Sequence, residues 1–96
     1  MLVLITYDVN TETPEGRKRL RKVSKTCQRY GQRVQNSVFE CEVDAGQLLK
    51  LKDRLIHLLN PETDSLRLYN LGNNGNNKVE HYGAKPSIDL NDPLIV

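Results

Sequence analysis

The chain has 96 residues and a formal net charge of +2 at pH 7, a length that suits one compact domain with a modest core and is too short for two. No apolar run approaches the ~20 residues of a membrane span, no Cys-x-x-Cys or Cys/His cluster suggests a zinc site, and the start lacks the basic stretch and small-residue cleavage site of a signal peptide. The two cysteines, Cys27 and Cys41, are expected as free thiols of a cytoplasmic protein.

Leu2 to Tyr7 is a continuous run of apolar and β-branched residues. It predicts a strand buried on both faces, hence central in a sheet. Val9 to Glu12 reads as a loop, and Thr13-Pro14 supplies an N-cap followed by proline at the first helical position. Leu20, Val23, Cys27 and Tyr30 then recur at helical spacing, with Gly31 as the expected stop. Lys18, Lys22, Lys25 and Arg29 share the opposite face. Arg33 to Val43 is strand-like and is divided by an Asn36-Ser37 turn into a hairpin. Asp44 caps a second helix, Ala45 to Asn60, with Leu48, Leu51, Leu55, Leu58 and Leu59 as its apolar positions. Ser65 to Leu71 alternates as a fourth strand, and Lys78 to Gly83 is a short fifth one. Between them lies a polar Gly/Asn loop, residues 72–77, and the tail 84–96 is irregular with an apolar end.

The order is β-α-β-β-α-β plus a C-terminal strand. It predicts an α+β ferredoxin-like domain, residues 1–83, with an antiparallel sheet and two helices on one face. The other sheet face must be polar or covered, which invites dimerisation.

The chemistry-bearing residues are few. Eight of the fourteen Lys/Arg residues fall between Arg17 and Arg33, with no acid among them. Such a field suits a polyanion or is simply a solvated helix face. Asp8 closes the first strand, either as a turn-forming side chain or as a carboxylate for a hard cation such as Mg²⁺. One carboxylate per chain makes a two-carboxylate site only with a second copy. A metal there activates water and neutralises charge in phosphodiester attack. Ser37 is a turn residue or a phosphate donor, and Phe39 is core or a base platform. With 5% aromatic residues, a stacking-type single-strand binder is disfavoured. His57 falls on the polar side of the second helix and His81 on a late strand. Neither has a nucleophile partner.

An apolar strand ending in Tyr7-Asp8, a basic helix ending in Tyr30-Gly31, the stretch Arg33-Val-Gln-Asn-Ser-Val-Phe-Glu40, then Leu66-Arg-Leu-Tyr-Asn-Leu71 and Lys78-Val-Glu-His-Tyr-Gly83 resemble the CRISPR-associated protein 2 family, of the type I-C kind. The resemblance covers about residues 1–86. It implies a ferredoxin-like homodimer whose fifth strand extends the partner's sheet. It also implies a Mg²⁺-dependent endonuclease (Mn²⁺ as an alternative) acting on duplex DNA or single-stranded RNA in spacer acquisition. The family's metal-site aspartate matches Asp8, paired with its mate. Arg33 and Phe39 match the family's arginine and phenylalanine, and Arg17 and Arg19 lie where it carries basic residues. Lys18, Lys22 and Lys25 join them as expected nucleic-acid contacts, with Ser37 and Phe39 in support. The competing reading is a non-catalytic dimer that clamps DNA between copies of CRISPR-associated protein 1. Duplex DNA is the favoured substrate, because a rigid basic helix fits a phosphate backbone.

Overall fold

The structure, a computed structural model, describes residues 1–71 and 78–84. The expected Gly/Asn loop and the tail from residue 85 lie outside the described residues. The elements are β1 (Leu2–Asp8), α1 (Pro14–Gln28), β2 (Gly31–Gln35), β3 (Val38–Glu42), α2 (Ala45–Leu58), β4 (Ser65–Asn70) and β5 (Lys78–Gly83). They form one antiparallel sheet in the order β2-β3-β1-β4-β5. The first four strands have the ferredoxin-like arrangement, with β1 in the middle as its apolar run predicts.

Local chemistry sets the helix starts. Thr13 Oγ1 accepts from the Gly16 N–H at 3.0 Å with Pro14 in the first turn. Asp44 Oδ1 accepts from the Gln47 N–H at 2.7 Å while Gln47 Oε1 accepts from the Asp44 N–H at 3.0 Å. The second pair is a capping box, and each such cap contributes about 1 kcal/mol.

Residues paired across antiparallel strands share a face. The register joins Ile5 to Phe39 and to Leu68. Val3, Ile5, Tyr7, Phe39, Cys41, Leu66 and Leu68 therefore point to one side, where Val23 and Cys27 of α1 and Leu51 and Leu55 of α2 complete a buried core. β1 departs from the expected two-sided burial. Leu2, Leu4 and Thr6 are half-buried, because both helices cover the same face. The uncovered face carries Leu2, Leu4, Thr6, Asp8, Glu40, Glu42, Ser65, Arg67, Tyr69, Val79 and His81.

Gly31 also departs from its expected role. α1 ends at Gln28, with Arg29 as an ordinary right-handed C-cap, and Gly31 opens β2. A Cβ there would lie 2.2 Å from the Glu40 carbonyl oxygen and 2.7 Å from Cys41 Sγ. Glycine is needed for close strand approach rather than for a left-handed turn. The Asn36-Ser37 turn is as expected, with a register shift between Arg33 and Gln35. β5 pairs with β4 of its own chain, whereas the resemblance implies addition to a partner's sheet. Lys52 Nζ of α2 reaches Glu80 Oε1 at 3.0 Å and the Tyr82 hydroxyl donates to the same oxygen at 2.6 Å, tying β5 to the helical layer.

Gly31→Ala is expected to destabilise the protein by about 1–3 kcal/mol, the usual cost of overpacking. Urea unfolding checks it, with Gln32→Ala on the exposed side of the same strand as the near-neutral control.

Candidate functional site

Asp8 ends the central strand opposite Ser65. It follows the buried Tyr7 by one residue and so projects from the uncovered face, where it is exposed. No described residue engages its carboxylate in a hydrogen bond or ion pair. Among the described residues no three His, Cys, Asp or Glu side chains gather as a metal cluster. A hard oxygen donor left free suits a hydrated divalent cation, but one chain offers one such ligand.

The loop after Asp8 is held by a carboxylate that the sequence reading did not single out. Asp64 has 0% exposure. Its Oδ1 accepts from the Asn10 N–H at 3.0 Å and from the Thr63 hydroxyl at 3.0 Å. Its Oδ2 accepts from the Asn60 N–H at 2.9 Å and from Arg19 Nε at 2.8 Å. Burial pushes the Asp64 carboxyl up, but Arg19 and the donors from Asn60, Asn10 and Thr63 outweigh it and hold it below the ordinary aspartate value. Arg19 was expected to face phosphate. Its guanidinium is half-buried and directed at Asp64 instead, so it braces the Asp8 loop. In the sequence the only hint is an acid just before a predicted strand.

The other basic residues expected to meet nucleic acid lie on the helical side of the sheet. A groove of about 830 Å³ runs between α1 and the β2–β3 turn, lined among others by Lys18, Arg21, Lys22, Lys25, Arg33 and Ser37. Arg17 is exposed and donates to the Thr11 carbonyl at 3.1 Å. Arg33 lies over the Phe39 ring, 5.2 Å from its centroid, and donates to the Asn36 carbonyl and to Ser24 Oγ. Phe39 is wholly buried and stacks on Tyr7 at 6.1 Å between centroids, so it supports Arg33 and is no base platform. The Ser37 carbonyl accepts from the Tyr7 N–H at 3.1 Å, which fixes the turn. The Tyr7 hydroxyl at the groove's edge faces Ser24 without closing a hydrogen bond of good geometry. Burial raises its pKa, opposed in part by Ser24 and Arg33. Tyr7 and Asp8 alternate along β1, so the groove is on the helical side and Asp8 on the open side.

The thiols take no part. Cys27 and Cys41 are fully buried, and burial pushes them up to about 12 and about 11. His57 is exposed and bonds the Asp53 carbonyl on its own helix. His81 lies on the Asp8 side, where its Nδ1 accepts from Arg67 Nε at 3.4 Å. Among the described residues no helix is long and apolar enough to cross a membrane.

Fold and site together define a ferredoxin-like α+β domain with a free strand-end carboxylate on one side of its sheet and a cationic groove on the other. The chain belongs to the family of CRISPR associated protein Cas2, whose model matches residues 1–79. It is 70% identical, over 99% of both chains, to the CRISPR-associated endonuclease Cas2 of Halalkalibacterium halodurans. It is 60% identical, over the whole of both chains, to the CRISPR-associated endoribonuclease Cas2 of Chlorobaculum tepidum. Its fold is similar to the crystal structure of Streptococcus pyogenes Cas2 at pH 6.5, with a TM-score of 0.71 and 61% identity over 75% of this chain and 87% of that one.

Asp64→Asn is expected to cost about 3–5 kcal/mol, because it leaves the half-buried Arg19 without its counter-charge. The folded Asp64 value lies below the unfolded one of about 3.9. Its contribution is therefore complete above that pH and is lost as pH falls through the folded value. Thermal melts from pH 7 down to pH 2 should show the gap between wild type and Asp64→Asn closing at the acid end.

Proposed function

We propose that this chain is a nuclease of the CRISPR system that hydrolyses phosphodiester bonds as a cytoplasmic homodimer. The observation that carries the reading is Asp8, exposed at the end of the central strand with its carboxylate unengaged among the described residues. The names of the relatives, one an endonuclease and one an endoribonuclease, support the same class. The half-buried Leu2, Leu4 and Tyr69 on the Asp8 side support a second copy as the cover of that face. Asp8 from each subunit would hold Mg²⁺ (or Mn²⁺), which supplies charge neutralisation and a more acidic water when bound. Water oxygen attacks phosphorus, the ester P–O bond breaks, and the leaving oxygen takes up a proton. The chain's own part is to keep Asp8 in place, through the Asp64 brace, and to bind the backbone.

Duplex DNA is the preferred substrate over single-stranded RNA, since Phe39 and Tyr7 are buried and offer no stacking platform. The position of the α1 groove favours a second role. Lying on the side away from Asp8, it suits a clamp on duplex DNA that works without chemistry, in a complex with CRISPR-associated protein 1. Lys18, Lys22, Lys25 and Arg33 serve that role, with Arg17 at its end and Ser37 and Phe39 as supports.

Asp8→Asn should lower Mg²⁺-dependent cleavage on the order of 10²-fold or more with the melting temperature held. Cleavage equal to wild type in a highly purified preparation would exclude Asp8 as the centre of cleavage. Reversing Lys18, Lys22 and Lys25 to Glu should weaken duplex binding and flatten its log–log salt slope by about 3. An unchanged slope would exclude the clamp.

A further inference from the structure

Cationic side chains beside a reacting phosphate stabilise the charge that develops there, and the cations expected for this work are elsewhere. Lys18, Lys22 and Lys25 project from α1, Arg33 lies on Phe39 on the helical side, and Arg19 is held by Asp64. Among the described strand residues, the face that carries Asp8 has one arginine, Arg67. Arg67 is opposite Thr6 and Asp8 is opposite Ser65. The two are therefore diagonal neighbours, a separation of roughly 7–8 Å between backbones that an arginine side chain spans.

The Arg67 guanidinium is held in place by neutral acceptors. Its Nε donates to His81 Nδ1 at 3.4 Å and its Nη1 to the Tyr69 hydroxyl at 3.4 Å. His81 Nε2 lies 2.6 Å from the Ala84 carbonyl oxygen. A carbonyl only accepts, so Nε2 carries the hydrogen and Nδ1 keeps its lone pair for Arg67. Arg67 is half-buried on the strand diagonal to Asp8, with two of its five N–H groups engaged and no carboxylate partner among the described residues. Phosphate oxygens are the anion its planar fork fits best.

We infer that Arg67 contacts the phosphate of nucleic acid bound at Asp8, and that His81 and Tyr69 are positioning residues that aim it. The kinetic part of this inference rests on the nuclease reading, and the binding part does not.

The test compares wild type, Arg67→Ala, Arg67→Lys and His81→Ala at matched melting temperature and oligomeric state. In Mg²⁺, Arg67→Ala should lose on the order of 10²-fold in kcat, and millimolar guanidinium should restore part of it. Arg67→Lys keeps the charge without the fork and should stay about 10-fold below wild type. His81→Ala should fall between wild type and Arg67→Ala. In EDTA, a labelled uncleaved DNA duplex should bind Arg67→Ala more weakly, with a salt slope flatter by about 1. Wild-type kcat and affinity in Arg67→Ala overturn the inference. So does a loss that guanidinium does not restore while the EDTA affinity is unchanged, which marks Arg67 as structural. If Asp8→Asn cleaves like wild type, the assignment of cleavage to Asp8 fails and the EDTA arm alone decides: reduced affinity supports the Arg67 contact and equal affinity overturns it. Should Arg67→Ala misfold, Arg67→Gln, which removes the charge and keeps most of the length, decides by the same two measurements.

Discussion

The interaction on which most of this structure depends is the ion pair between Arg19 and the fully buried Asp64. A carboxylate out of water is costly unless its lone pairs are filled, and Asp64 fills them with donors from four residues in three segments. Arg19 comes from α1, Asn10 from the loop after β1, and Asn60 and Thr63 from the turn before β4. Its backbone carbonyl accepts from the Ala84 N–H at 2.8 Å, just past β5. Gly83, at φ 94°, lies so close that a Cβ would fall 2.2 Å from that same carbonyl oxygen. One residue thus joins α1, the β1–α1 loop, the α2–β4 turn and the end of β5. All meet at the sheet end that carries Asp8.

This brace explains how an exposed Asp8 can be well placed. Its strand is fixed by pairing on both sides, and the chain two residues on is tied down through Asn10. The polar network is satisfied in full, which lets it specify one loop geometry rather than several. The exposed carboxylate itself makes no bond within the described chain, so its binding capacity is intact.

The pleat separates the two proposed functions. Alternate residues of β1 point to opposite sides, so Tyr7 joins the core and the cationic groove while Asp8 faces the open sheet. The proposed binding of a polyanion along α1 and the proposed chemistry at Asp8 would use different surfaces of one domain. A duplex gripped by the helices need not be the strand presented to the carboxylate. The open face has its own charge pattern, with Glu40 and Glu42 on one side and Arg67 on the other. Its half-buried apolar centre is the surface on which a second copy would complete the Asp8 pair.

Much of the fold was legible in the order of residues, because it is local. The apolar run of β1, the Thr13-Pro14 and Asp44 caps, the α1 and α2 stripes and the Asn36-Ser37 turn each act within a few residues of themselves. Asp8 as a candidate ligand was legible too, as a carboxylate where a buried strand stops. Other features depend on which strands lie side by side. Gly31 reads as a helix stop until β2 is placed against Glu40 and Cys41. Arg19 reads as a phosphate contact until α1 brings it to Asp64, 45 positions later in the chain. Arg67 is an ordinary alternate residue of β4 until the register sets it diagonal to Asp8. Periodicity determined which residues face together within an element, since the helical and strand repeats are properties of the backbone. Only tertiary structure decided which charges meet across elements, since register and burial arise when the whole sheet closes over its core.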